Sequence, residues 1–115
     1  MSFPLSPEHL AAMYDCYRQL PPFDKWKLPE SDEIEFRTPA RVDVDGEFIA
    51  GKPHVITVSS ARHSYTFSIM QTLCHEMLHL HEERSGQSNK SQHNAAWKRL
   101  AKRVCAIHGW DYRAF

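Results

Sequence analysis

The sequence predicts one small α+β domain, and three observations carry that reading. Apolar residues recur at helical spacing near the start, alternate with polar ones through the middle, and return to helical spacing afterwards. Proline and glycine mark the junctions between these periods. A length of 115 residues is enough for a single core and too short for two. With 42% hydrophobic and 24% charged residues, the chain is not of the disordered class. The expected order is helix, three strands, helix, helix.

Ser6-Pro7-Glu8 reads as N-cap, first-turn proline and first-turn acid of an N-terminal helix. Leu10, Met13, Tyr14, Tyr17 and Leu20 form its apolar stripe, and Pro21-Pro22 stops it. In the connector that follows, Phe23, Trp26 and Leu28 are expected to plug the edge of the domain. Ile34, Phe36 and Thr38 then alternate as a first strand. Residues 41–49 read as a second, with Asp45-Gly46 as a turn or bulge inside it. Val55-Ile56-Thr57-Val58 is the third, after the break at Gly51-Lys52-Pro53. Connections this short predict an antiparallel meander. From about residue 64 to 84, Phe67, Met70, Leu73, Cys74, Met77 and Leu80 make the stripe of a long helix, with Gly86 as its stop. A polar loop over 87–92 leads to a last helix over about 91–108, closed by Gly109, whose expected stripe is Trp97, Leu100, Val104 and Ile107.

The long helix carries His75-Glu76-Met77-Leu78-His79, the H-E-x-x-H pattern. Positions i and i+4 share a helix face, so His75 and His79 can grip one zinc ion from one side. Glu76 is rotated roughly 100° about the axis and stays free to act as a general base. A catalytic zinc site needs a third protein ligand and an open position. His93 is the leading candidate, because it stands at the head of the last helix's inward stripe, four residues before Trp97. Glu82 and Glu83 share a face with His79 but lie at least one rise of roughly 4.5 Å beyond it. His81 is rotated roughly 200° from His79, and Asp111 is the only later carboxylate. The metzincin spacing would need glycine at position 82 and histidine at position 85, where Glu82 and Ser85 stand. Cys74 falls on the apolar side and is expected to pack, not to ligate.

With these residues in place, the chain resembles the SprT-like (Spartan-type) metallopeptidase family. The resemblance rests on H-E-M-L-H, on the strand and turn ending Ile56-Thr57-Val58-Ser59-Ser60, and on the spacing of His93 and Trp97. Asn94 stands where the family often has glycine, and three scattered cysteines cannot build the four-cysteine zinc ribbon that many members carry. The resemblance implies a minimal zincin-like domain over residues 1–115. It would comprise an N-terminal helix, a three-stranded antiparallel sheet, the H-E-x-x-H helix, and a C-terminal helix carrying the third ligand. It also implies a zinc-dependent endopeptidase that cleaves protein or peptide substrates with a zinc-activated water and Glu76 as general base. The alternative is a zinc-binding adaptor of the same fold without significant turnover. Tyr65, His108 and Tyr112 are candidates for a second oxyanion donor.

Formal net charge is zero, so no global field draws the molecule to nucleic acid or membrane. Acidic residues nevertheless predominate over 24–47 and basic ones from Arg84 onward. Lys98, Arg99, Lys102 and Arg103 line one side of the last helix. Such a face is ordinarily the solvated side of an amphipathic helix, and contact with nucleic-acid phosphates is the lesser reading. Met1-Ser2-Phe3-Pro4-Leu5 lacks the features of a signal peptide, and no segment reaches bilayer-spanning length. Cys16, Cys74 and Cys105 form no C-x-x-C pair. A cytoplasmic setting with free thiols and no membrane partner is therefore expected.

Overall fold

Ser6 opens the first helix as its pattern predicts. Its Oγ accepts from His9 N at 3.2 Å, Pro7 follows in the first turn, and the helix α1 runs Pro7–Tyr17. The structure is a computed structural model and describes residues 5–62, 66–86 and 93–115, with backbone alone at 66 and 67. α1 buries Leu10, Tyr14 and Tyr17. It ends one turn earlier than its apolar pattern, because Gln19 and Leu20 bond back to Cys16 and Tyr17 in tighter i→i−3 turns. Leu20 is consequently exposed, while Phe23 and Leu28 plug the core and Trp26 lies half-buried against it.

Three strands follow: β1 (Ile34–Arg37), β2 (Gly46–Ile49) and β3 (His54–Val58). Their order is β1-β3-β2, and the expected antiparallel meander is instead a mixed sheet. β2 and β3 form an antiparallel pair, with Phe48 opposite Ile56. β1 lies parallel to β3, with Phe36 also opposite Ile56. The rule of short connections therefore holds for β2–β3 and fails for β1–β2. Residues 41–45 explain the failure, since they form no strand. Arg41 pairs with Asp43 and Glu47, Arg62 pairs with Asp45, and Ser59 N donates to Asp45 O at 2.8 Å. These local bonds satisfy the segment without a ladder and carry the chain past β3 to its far side. Val42, whose alternation suggested a buried face, is 75% exposed.

The long helix α2 (Thr66–Arg84) lies across β2 and β3 and also touches α1 and α3. Ile69, Leu73, Cys74, Met77, Leu78 and Leu80 are buried and Met70 is half-buried. Residue 64, the side chain of Phe67 and the 87–92 loop lie outside the described residues. Each fully buried Leu, Ile or Met contributes roughly 1.5–3 kcal/mol of apolar transfer energy. Gly86 adopts φ +75°, the left-handed geometry expected of a helix stop.

The last helix, α3 (Ala95–His108), begins later than expected, with Asn94 as its cap. Asn94 Oδ1 accepts from Trp97 N at 2.9 Å, and Gly109 closes the helix at φ +76°. Its buried face is Trp97, Ala101, Val104 and Cys105. Leu100 is only half-buried, and Ile107, expected in the stripe, is 45% exposed. The contact face has rotated toward the small residue Ala101, which packs with Leu78 and Trp97 where α3 meets α2. Trp26 and Phe115 pack against both this cluster and the main core. Among the described residues, no helix is long and apolar enough to cross a membrane. All three cysteines are free; Cys74 and Cys105 are buried, and Cys16 is exposed.

Candidate metal centre

Helix periodicity alone puts His75 and His79 on one face of α2, one turn apart. Their Nε2 atoms lie 3.2 Å from each other. The third histidine arrives from the start of α3. His93 Nε2 lies 3.3 Å from His79 Nε2, and its ring stacks on that of His79 at 5.1 Å and 14°. The expectation that α3 itself carries this residue is corrected, since His93 sits in the turn just before the cap. Asn94 is the reason: a short amide favours the cap, so the helix begins one residue past it.

α3 still fixes His93, through Trp97. The indole is 4% exposed and stacks on His93 at 4.1 Å and 18°. It also lies 5.3 Å from the His79 ring and 4.9 Å from that of His75. All three imidazoles thus rest on one apolar plate. On its other side, His75 donates from Nδ1 to the main-chain oxygen of Phe115 at 2.6 Å, leaving Nε2 toward His79. Nothing in the sequence pattern marked Phe115.

Burial drives His75 down to about 4 and His79 to about 3, with the neighbouring histidines pushing the same way. His93 is lowered too, by burial first and then by Lys98. The rings are therefore neutral near pH 7, the form that ligates metal. One ligand atom from each histidine lies within 4.8 Å of the others, and this is the only group of its kind among the described residues. Tetrahedral zinc with Zn–N of about 2.0–2.1 Å sets its ligand nitrogens about 3.3 Å apart, which matches the two distances above. The donor set fits zinc.

Glu76 is 5% exposed, on the side of α2 that faces the sheet. Burial pushes its carboxyl up to about 8, and the carboxylates of Glu47 and Asp45 add to the shift. A cleft of about 120 Å³ opens beside it, between Gly46 on β2, Thr72, His75 and Glu76 on α2, and Ala114-Phe115. Gly46, read from sequence as part of a turn or bulge, is the first residue of β2 and lies close against α2. A Cβ there would come within 2.5 Å of Thr57 O, 2.9 Å of Thr72 Cγ2 and 3.3 Å of Glu76 Oε2. His75 and Glu76 of the H-E-x-x-H motif and one distant glycine thus share one small space.

The other candidates fall elsewhere. His81 stacks on Trp26 at 4.2 Å and 12°. Glu82 is buried, with Oε2 lacking a hydrogen-bond partner, and neither it nor Glu83 joins the histidine group. Asp111 accepts from Arg113 N at 3.0 Å, capping a 3₁₀ turn, Tyr112–Ala114. Cys74 packs in the core, where burial raises its thiol. His108 bonds Pro21 O at 2.6 Å and packs on Tyr17 and Phe23 at the far end of α3. Tyr112 lies under the Lys102 ammonium, and Tyr65 is outside the described residues. Lys98, Arg99, Lys102 and Arg103 are all exposed.

No curated protein and no solved structure matches the chain. The sequence model of the SprT-like family matches residues 26–113, which span everything from Trp26 through the sheet, α2, His93 and α3, and leave out α1. With most of its length matched, the chain belongs to the SprT-like family.

Proposed function

We propose that the protein is a zinc-dependent endopeptidase, with His75, His79 and His93 as metal ligands and Glu76 as general base. The observation that carries this reading is the convergence of three neutral imidazoles beside a cleft that His75 and Glu76 both line. A zinc ion held there would supply Lewis-acid polarisation of a peptide carbonyl and make a water acidic enough to attack it. The positive charge of such an ion would favour the ionised carboxylate against the burial that raises it, and Glu76 would then take the proton of the attacking water, hold it on its carboxyl and pass it to the leaving nitrogen. Trp97 excludes solvent from one side of the three ligands. β2 pairs with β3 on one side and, among the described residues, with no strand on the other. It meets α2 at Glu76, so an extended substrate can add to this edge with its scissile bond near the metal.

The test is Glu76→Gln. It should keep about one zinc per chain and lose cleavage of an unfolded protein substrate by at least about 10²-fold. Zinc-loaded wild type that cleaves nothing across a broad peptide library would defeat the enzyme reading in favour of a zinc-binding adaptor.

A further inference from the structure

The 2.6 Å bond between His75 Nδ1 and the Phe115 main-chain oxygen joins residues 40 positions apart. The turn that delivers this oxygen is built step by step. Gly109 ends α3 in the left-handed conformation, and Gly109 N and Trp110 N both donate to Cys105 O. The chain therefore folds back with the Trp110 ring buried in the core. Asp111 then caps the 3₁₀ turn, and Phe115 N donates to Tyr112 O at 3.2 Å. The Phe115 ring lies 5.3 Å from His75 and 6.0 Å from Trp97, packed against both core clusters.

An imidazole can carry its proton on either ring nitrogen, and only the nitrogen without it can ligate. The main-chain oxygen at Nδ1 can only accept, so it favours the Nδ1–H tautomer of His75 and leaves the Nε2 lone pair toward His79. The ring contacts of Phe115 hold that oxygen in place.

We propose that Phe115 is a positioning residue for the metal centre, its main-chain oxygen fixing the tautomer and ring orientation of His75 and its side chain anchoring that oxygen between His75 and Trp97. The role in metal binding rests on the zinc reading above; the tautomer does not.

The experiment uses the full chain with Phe115→Ala, Phe115→Leu and Asp111→Ala, the last of which loosens the turn while leaving the ring. Nitrogen-15 chemical shifts of the His75 ring in metal-free protein report the tautomer, and competition with a chromophoric chelator reports zinc affinity. In wild type, Nδ1 should carry the proton. Phe115→Ala should mix the tautomers and weaken zinc binding by roughly 10–100-fold, the usual cost of losing an outer partner. Asp111→Ala should shift both readouts the same way by less, and Phe115→Leu should restore most of the loss. Unfolding midpoints separate this from a merely structural role, which would lower stability and leave tautomer and affinity unchanged. A His75 ring that keeps its wild-type tautomer in both Phe115→Ala and Asp111→Ala overturns the proposal. If wild type binds no zinc, the zinc reading fails, and the tautomer readout still decides whether Phe115 positions His75. Should Phe115→Ala not fold, Asp111→Ala decides between the same outcomes.

Discussion

His93 contributes little to the core, being exposed and outside any helix, yet its Nε2 is 3.3 Å from that of His79. Its side chain is therefore free to be removed without opening a cavity. His93→Ala should leave the unfolding midpoint of metal-free protein close to wild type. Zinc affinity should fall by more than the roughly 10–100-fold expected from losing an outer partner. Titration against a chelator checks this, and wild-type affinity in the variant would remove His93 from the ligand set. Trp97 behaves differently at the same scale: buried, and in contact with all three imidazoles, it couples the site to the core. That coupling is why a histidine off the helix can still be held in register with two on another helix.

Between elements, the seam of β2 against α2 decides how close Glu76 comes to the sheet. Gly46 opens β2 opposite Val58, and its backbone leaves no room for a Cβ above Thr57 O and Thr72. Its glycine is required by space, not by an unusual backbone angle. Gly46→Ala should force the start of β2 away from α2, at about 1–3 kcal/mol of stability, the usual cost of overpacking. Because Glu76 Oε2 is the third neighbour, cleavage should drop while zinc binding persists. Thermal unfolding and zinc titration of the same sample check the two halves, and a variant as stable as wild type would show that the seam can open freely. The contact joins residues far apart in sequence, which explains why it was not legible there. Asp45-Gly46 has the composition of a turn, and only the partner helix reveals why glycine stands there.

Across the whole molecule, α1 lies outside the family match and is tied to the rest by polar bonds as well as by its buried face. Tyr14 OH donates to Pro29 O at 2.5 Å. Asp15 accepts from Ser31 Oγ at 2.5 Å, from Ser31 N at 3.3 Å and from Arg18 Nη2 at 3.1 Å. Burial alone would raise the Asp15 carboxyl, but the bonds from Ser31 and Arg18 outweigh it and hold it below its ordinary value. A lowered folded pKa means that the folded state binds this proton less readily than the unfolded one. The group therefore stabilises above the ordinary carboxylate range, and that contribution is lost as pH falls through and below it. Asp15→Asn should be less stable than wild type at about pH 7, and the gap should close only as pH falls from about 4 toward about 2, through the lowered folded value. Urea midpoints of the metal-free proteins at about pH 7 and about pH 2 test this. A gap of equal size at both would assign the cost to packing, not to charge.

His75, Glu76 and His79 were legible because an i, i+4 relation depends only on helix geometry, which the chain encodes locally. The three helices and the segments that became strands were legible for the same reason, from periods of 3.6 and 2. Other features depended on residues remote in sequence. Alternation tells which side of a strand faces the core but not which strand lies next to it, so the parallel pairing of β1 with β3 could not be read from it. A stripe on α3 gave the helix its apolar side, while the rotation that buries Ala101 and exposes Ile107 was chosen by packing against α2. The sequence by itself determined the chemical groups and their local spacing. Only the tertiary structure decided that Gly46 would meet Glu76 and that Phe115 would hold His75. Those contacts are set by how packed elements approach one another, and no local period records that.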